Sequence, residues 1–280
     1  MKKSVFFKVA CIALVTVGII TLNSCTKENI ENGNNLVTTK VKEFDSFDEI
    51  MDGIKYSEFQ IEVENHNHYL NSIFEIFDFD ADNYQEELIR CILELELDTN
   101  ELDIDAPLMT FNDMIYEIYT TAEIDDANRV VELVSLLDAD IFEHESFEYI
   151  SHIVDSVQSV AFKELQGVDL MVVFGYSELL YNSSYYWMPN DWGGCGTGFE
   201  ILNNNVYVKS KESDKPSEDK TTTEIIGEVA ITDAVYMAGG CIVTAIGGAI
   251  NPALALPLLK AAVKRAAKKS AKAAINNIKN

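Results

Sequence analysis

Three groups of side chains in this sequence have the type and spacing to do chemistry, and a fourth has the composition of a contact surface. Asp78, Asp80 and Asp82 alternate as the carboxylates in the first half of a calcium loop do, each offering a hard oxygen ligand. The match stops there, because Asn83 stands where such a loop needs glycine and Ile89 where it needs a bidentate glutamate. His144, Glu148, His152 and Asp155 recur at intervals of four, four and three residues, so a helix would align them on one stripe able to hold zinc. That stripe lies opposite the apolar positions Phe147, Ile150, Ile153, Val154, Val157 and Ala161, and a solvated polar face is the reading the sequence favours. His66 and His68 are two residues apart, which on a helix points them in different directions and separates them as ligands. Cys195, flanked by glycines, would need a histidine base to act as a nucleophile, and all four histidines precede it in the chain. The fourth group is the loop from Tyr185 to Gly198, dense in aromatics and glycine, in which Tyr185, Tyr186, Trp187 and Trp192 are candidates for contact with carbohydrate or peptide. Without a Ser-His-Asp signature, a phosphate-binding glycine loop or an HExxH pattern, the sequence reads as that of a non-enzyme with no cofactor and no metal.

A different chemistry is written at the N-terminus. Lys2 and Lys3 precede an apolar run, Val5 to Ile20, broken by Lys8, Thr16 and Gly18, which is the form of a signal peptide over residues 1–24 and too interrupted for a permanent span. Leu22, Asn23, Ser24 and Cys25 then resemble the lipobox of bacterial lipoproteins, which implies cleavage before Cys25 and acylation of that residue. Each buried methylene of an acyl chain contributes ~0.8 kcal/mol to anchoring, so several chains on one cysteine hold firmly. Cys91, Cys195 and Cys241 remain, an odd number for a compartment outside the cytoplasm. Cys91 lies in an apolar helical run and reads as a small buried hydrophobe, leaving Cys195 and Cys241 as the expected pair.

These groups must be positioned by what lies between them. Residues 25–42 are polar and Asn-rich, a tether. Residues 43–208 read as one acidic, mainly helical domain. Its first helix is signalled by the capping-box pattern Ser46 to Glu49, and further helices are expected over Glu58 to Phe77, Asn83 to Leu97, Thr110 to Ala122, Asp125 to Leu137 and Phe142 to Leu165. After Gly167 the texture becomes β-like: Asp169 to Tyr176 is rich in β-forming residues, and Phe199 to Val208, turning at Asn203 to Asn205, is expected to form a small hairpin. Residues 209–223 have almost nothing to bury and read as a linker.

Residues 224–280 form a hydrophobic and basic helical tail. Ala234 to Leu259 runs 26 residues without a charge, long enough to cross a bilayer, with Gly240, Thr244 and Gly248 forming a small-residue ridge. Pro252 and Pro257 break this run, which makes a helical hairpin as plausible as a straight span. Lys260, Lys264, Lys268 and Lys272 follow at intervals of four, the pattern of a cationic amphipathic helix on anionic lipid. Charge is polarised: residues 41–190 carry 35 acidic and five basic side chains, against seven basic and no acidic from Leu259 onward. The acidic region excludes binding of nucleic acid and favours a cationic partner.

The opening Met1 to Asn32, with the Asn-rich tether and the segment Phe44 to Ile50, resembles the uncharacterised lipoproteins of gut Bacteroidetes. That resemblance implies an exported protein, lipid-anchored in the cell envelope at the outer membrane through Cys25. The glycine-paired apolar tail also resembles bacteriocin-type membrane peptides. The expected function is a lipid-anchored binding or interaction module whose tail meets a membrane or a partner helix; the alternative is a membrane-active toxin with an acidic masking domain.

Overall fold

The computed structural model describes residues 54–97, 108, 110, 127–137, 139–210 and 220–279. The signal segment, Cys25, the tether, the helix expected at Ser46 and residues 111–122 lie outside the described residues. The described residues are mainly helical, with eight α-helices: α1 (Tyr56–Ile76), α2 (Tyr84–Glu94), α3 (Ala127–Ser135), α4 (Phe147–Glu164), α5 (Gly167–Trp187), α6 (Thr197–Ser210), α7 (Thr222–Ile250) and α8 (Ala255–Lys279). Local chemistry sets several starts. Asn83 accepts from the backbone N–H groups of Gln85 and Glu86, Ser146 accepts from that of Tyr149, and Thr221 and Glu224 form a reciprocal capping box.

Around α5 the other long helices are arranged in a definite sense. Phe59 meets Phe174 (ring centroids 5.4 Å), Asn67 donates to the Asn182 carbonyl at 3.2 Å and Phe74 meets Trp187 (6.0 Å), so α1 and α5 run parallel. Phe162 against Phe174 and Phe147 against Tyr181 make α4 antiparallel to α5. Gly175 faces Cys241 while Ser183 meets Asp233, which makes α7 antiparallel to α5 as well. Finally α7 and α8 form an antiparallel hairpin, with Glu228 beside Asn277, Gly240 beside Ala262 and Gly247 beside Leu258. One pole of the bundle therefore collects the starts of α1, α5 and α8 and the ends of α4 and α7; the opposite pole collects the other ends.

The β-like expectations are overturned. Asp169 to Tyr176 is the first half of α5, and residues 199–208 lie in α6 rather than in a hairpin. Leu170 through Leu180 are all buried, so α5 has no polar face and hence no helical periodicity for the sequence to display. In α6, Asn203 and Asn204 face solvent and Asn205 donates to the Ile201 carbonyl at 2.7 Å, a helical i to i−4 contact where a turn is expected. Helix α4 begins at Phe147, with the preceding Ala139–His144 as a separate 3₁₀ turn.

The tail helices are part of the bundle. Met237, Ala238, Cys241, Val263, Ala266, Ala267 and Ala271 are fully buried, and Lys268 and Lys269 are only 7% and 6% exposed. The evenly spaced lysines thus do not form one free cationic face. Helix α7 is long and apolar enough over Thr222–Ala245 to cross a membrane, and 72% of its apolar window is buried inside the protein.

Candidate functional site

Two features stand out, a polar cluster at the centre of the bundle and an aromatic surface at the pole away from the α7–α8 turn. In the first, His66 of α1, Ser183 of α5 and Asp233 of α7 converge with no exposure to solvent. Ser183 donates its hydroxyl to Asp233 Oδ2. His66 Nε2 lies 3.0 Å from Asp233 Oδ1 in ion-pair contact, off the angle of a linear hydrogen bond. Asn67 uses its amide nitrogen on the Asn182 carbonyl, which leaves its Oδ1 to accept from His66 Nδ1–H at 3.0 Å. The carboxylate, not the histidine, bridges the serine, so the cluster lacks the order of a hydrolytic triad. Its effect is to tie α7 to α1 and α5.

Sequence reasoning missed this cluster because its members are far apart in the chain. One signal was present: Asp233 is the last carboxylate before a long uncharged stretch on an apolar helix, and a lone carboxylate there requires a buried partner. His66 is buried while His68 is exposed, the divergence that their spacing predicts.

In the second feature, Gly193 takes φ 91° and caps the short Asn190–Trp192 turn, donating to the Asn190 carbonyl at 3.1 Å. The loop folds back on the end of α5, with Cys195 N–H donating to the Tyr185 carbonyl at 2.7 Å and Gly196 N–H to the Met188 carbonyl at 3.0 Å. This presents Tyr185, 45% exposed, against Phe147 (5.2 Å), which also packs on Tyr181 (4.9 Å), with half-buried Trp192 in the same loop. Tyr185 and Trp192 are therefore placed for contact, whereas Tyr186 and Trp187 are not: they are core side chains, 2% and 0% exposed. Tyr186 donates to Asn71 Oδ1 at 2.7 Å, and burial, followed by the charges of Cys195, Asp233 and Glu75, pushes its hydroxyl far above the usual range. Phe147, expected only as an apolar helix position, and Tyr181, which no sequence pattern singled out, join the surface.

The other candidates fall elsewhere. Asp78 Oδ1 accepts from the Asp80 N–H at 2.9 Å, an Asx turn leading into the Asn83 cap of α2. Beside it, Glu87 accepts from the Asp78 N–H and from Arg90, and these bonds hold its carboxyl down at about 2. His144 stacks on Tyr149 at 3.9 Å from its own 3₁₀ turn, while Glu148 and His152 are exposed and 3.9 Å apart. Among the described residues no group of three or more His, Cys, Asp or Glu side chains is gathered to hold a metal ion.

Cys195 and Cys241 are not paired, contrary to expectation: Cys241 is buried against Gly175, and Cys195 lies beside the Tyr186 carbonyl and Thr197. Burial pushes the Cys241 thiol up to about 12 and, against the opposing pull of Arg90, the Cys91 thiol up to about 11. Since the thiolate is the nucleophile, iodoacetamide at pH 8 is expected to modify only Cys195 in folded residues 25–280 carrying Cys25→Ser. Peptide mass spectrometry checks this, and labelling of Cys91 or Cys241 without denaturant would contradict it. Compared with protein-family models, curated proteins and solved structures, the chain matches none.

Proposed function

We propose that this chain is a lipid-anchored protein of the bacterial cell envelope, at the outer membrane, whose acidic helical domain is a binding module rather than an enzyme. The observation that carries the reading is the aromatic surface in which exposed Tyr185 stands with the half-buried rings of Phe147, Tyr181 and Trp192, at the pole opposite the start of α1. Rings of this kind stack on sugar faces or on apolar peptide side chains, and the acidic flanks favour a cationic group beside them.

Anchoring and binding are tested separately. Labelled palmitate is expected to enter the exported protein and to be lost on Cys25→Ala. For binding, Trp192 is a reporter because Trp187, the only other tryptophan, is fully buried. Titration with a panel of oligosaccharides and cationic peptides is expected to give a saturable fluorescence change for at least one ligand, abolished by Trp192→Phe and weakened at least tenfold by Tyr185→Ala. A flat response across the panel would count against the binding reading.

A second reading, a membrane-active toxin whose acidic domain masks the tail, draws on the length and apolarity of α7. It requires α7 and α8 to leave the bundle, at the cost of separating Asp233 from His66 and Ser183. Leakage of dye from anionic vesicles by residues 223–280, suppressed by added residues 41–208, is the outcome that would favour it.

A further inference from the structure

The pole opposite the aromatic surface carries an unusual combination. Between the end of α7 and the start of α8 the chain turns through Asn251 and the Pro252–Leu254 3₁₀ turn, and Asn251, Pro252, Ala253 and Pro257 are all exposed. Val243, on the outer face of α7 shortly before the turn, is 51% exposed although no charged residue lies nearer than Asp233 on one side and Lys260 on the other. Solvent thus meets an uncharged, proline-stiffened tip in a protein whose surface is otherwise strongly acidic.

From Ala234 to the end of α8 the only charged side chains of the hairpin are basic, its acidic residues Glu224, Glu228 and Asp233 all lying in the half of α7 away from the tip. Lys260 is partly exposed and lies 3.3 Å from Glu62, Lys264 reaches over the Tyr69 ring at 5.7 Å, and exposed Arg265 lies 5.8 Å from the Tyr236 ring. The contacts Lys260 to Glu62 and Lys264 to Tyr69 advance in the same direction along both helices, so α8 and α1 are parallel and the turn sits beside the start of α1. Ile54, the first described residue, belongs to the same packed cluster as Ala255 and Leu259. Ile54 and the start of α1 therefore lie at the tip.

We propose that the α7–α8 turn is a lipid-contact tip that seats shallowly in an anionic bilayer surface, with Val243, Ala253 and the prolines among the acyl chains and Lys260, Lys264 and Arg265 at the headgroups. An apolar edge backed by basic side chains is the arrangement that lies in a membrane interface, ~5–10 Å deep, without spanning it. Acidic or neutral protein surfaces are a poorer match, since they would not draw an uncharged tip and a cationic collar together. The orientation toward the anchoring membrane rests on the lipid-anchor reading, whereas the affinity of the tip for lipid does not.

The test uses residues 25–280 with Cys25→Ser, so that acylation does not contribute, in flotation with vesicles of phosphatidylethanolamine containing about one third phosphatidylglycerol. The protein is expected to float with these vesicles and several-fold less with pure phosphatidylcholine, and the double variant Val243→Asp/Ala253→Asp is expected to lower the bound fraction at least tenfold. Both substituted positions face solvent, so circular dichroism should be unchanged. As a second measurement, Ala253→Cys in a Cys195→Ser background, labelled with an environment-sensitive dye, is expected to shift to the blue on anionic vesicles. Failure to float, equal flotation of the double variant, or an unshifted dye would each overturn the proposal. Loss of palmitate labelling alone would remove the orientation and leave the lipid contact standing.

Discussion

Replacing His66 by leucine is expected to destabilise the fold by about 3–5 kcal/mol, the range for removing one partner of a buried charge pair. The magnitude follows from what is left behind. Asp233 and His66 have no exposure, and neither Nε2 nor Oδ1 has another hydrogen-bond partner among the described residues. Ser183 supplies one hydrogen bond to the carboxylate, too little to offset burial of an isolated anion. Asp233→Leu should cost a similar amount for the converse reason. The double variant His66→Leu/Asp233→Leu is expected to be at least 1 kcal/mol more stable than the sum of the single losses predicts, because it leaves only the neutral Ser183 hydroxyl and Asn67 amide oxygen short of a partner and no unpaired imidazole or carboxylate. Denaturant midpoints at constant slope measure all three. Additive losses would mean that the two side chains are not coupled and that α7 is held by apolar packing alone.

Gly240→Ala is expected to produce the second-largest effect, and its sign is the informative part. In an isolated helix the change would stabilise by about 0.5–1 kcal/mol. Here a Cβ on Gly240 would fall 2.1 Å from the Ala262 Cβ and 3.1 Å from its Cα. Neither atom can swing aside by changing rotamer, so α7 and α8 must separate where they pack closely, with Ala262 buried and Gly240 partly buried. Overpacking of that kind costs about 1–3 kcal/mol, which outweighs the propensity gain. Adding Ala262→Gly should return part of the loss despite introducing a second helical glycine. If Gly240→Ala stabilises the protein, the close approach of the two tail helices is wrong.

Much of the helical content was legible because amphipathic helices advertise themselves. The α4 stripe of Ile150, Val154, Val157 and Ala161 repeats at helical spacing since one side of that helix meets water. The α2 start expected at Asn83 is held by a local bond that needs no tertiary partner; the caps at Ser146 and Thr221 are of the same kind but went unread. The small-residue ridge of α7 announced that a helix would pack closely there, and Gly240 does meet Ala262 of α8.

What the sequence withheld depends on partners remote in the chain. From Leu170 to Leu180 helix α5 is buried on all sides, which erases the periodicity that separates helix from strand, and its β-forming run then favours the wrong element. An uncharged stretch such as Ala234 to Leu259 satisfies a bilayer and a protein core equally, because both are apolar solvents; the surrounding helices α1, α5 and α8 decide how much of it faces either. The aromatic surface was half legible, since composition shows that Tyr185 to Trp192 is rich in rings but not which of them the loop turns outward. Local sequence by itself determined the amphipathic helices, such as α2 and α4, and how charge is divided along the chain. Only the tertiary structure decided which polar groups meet, because the contact of His66 with Asp233 is made by packing α1 against α7 and has no counterpart in any local pattern.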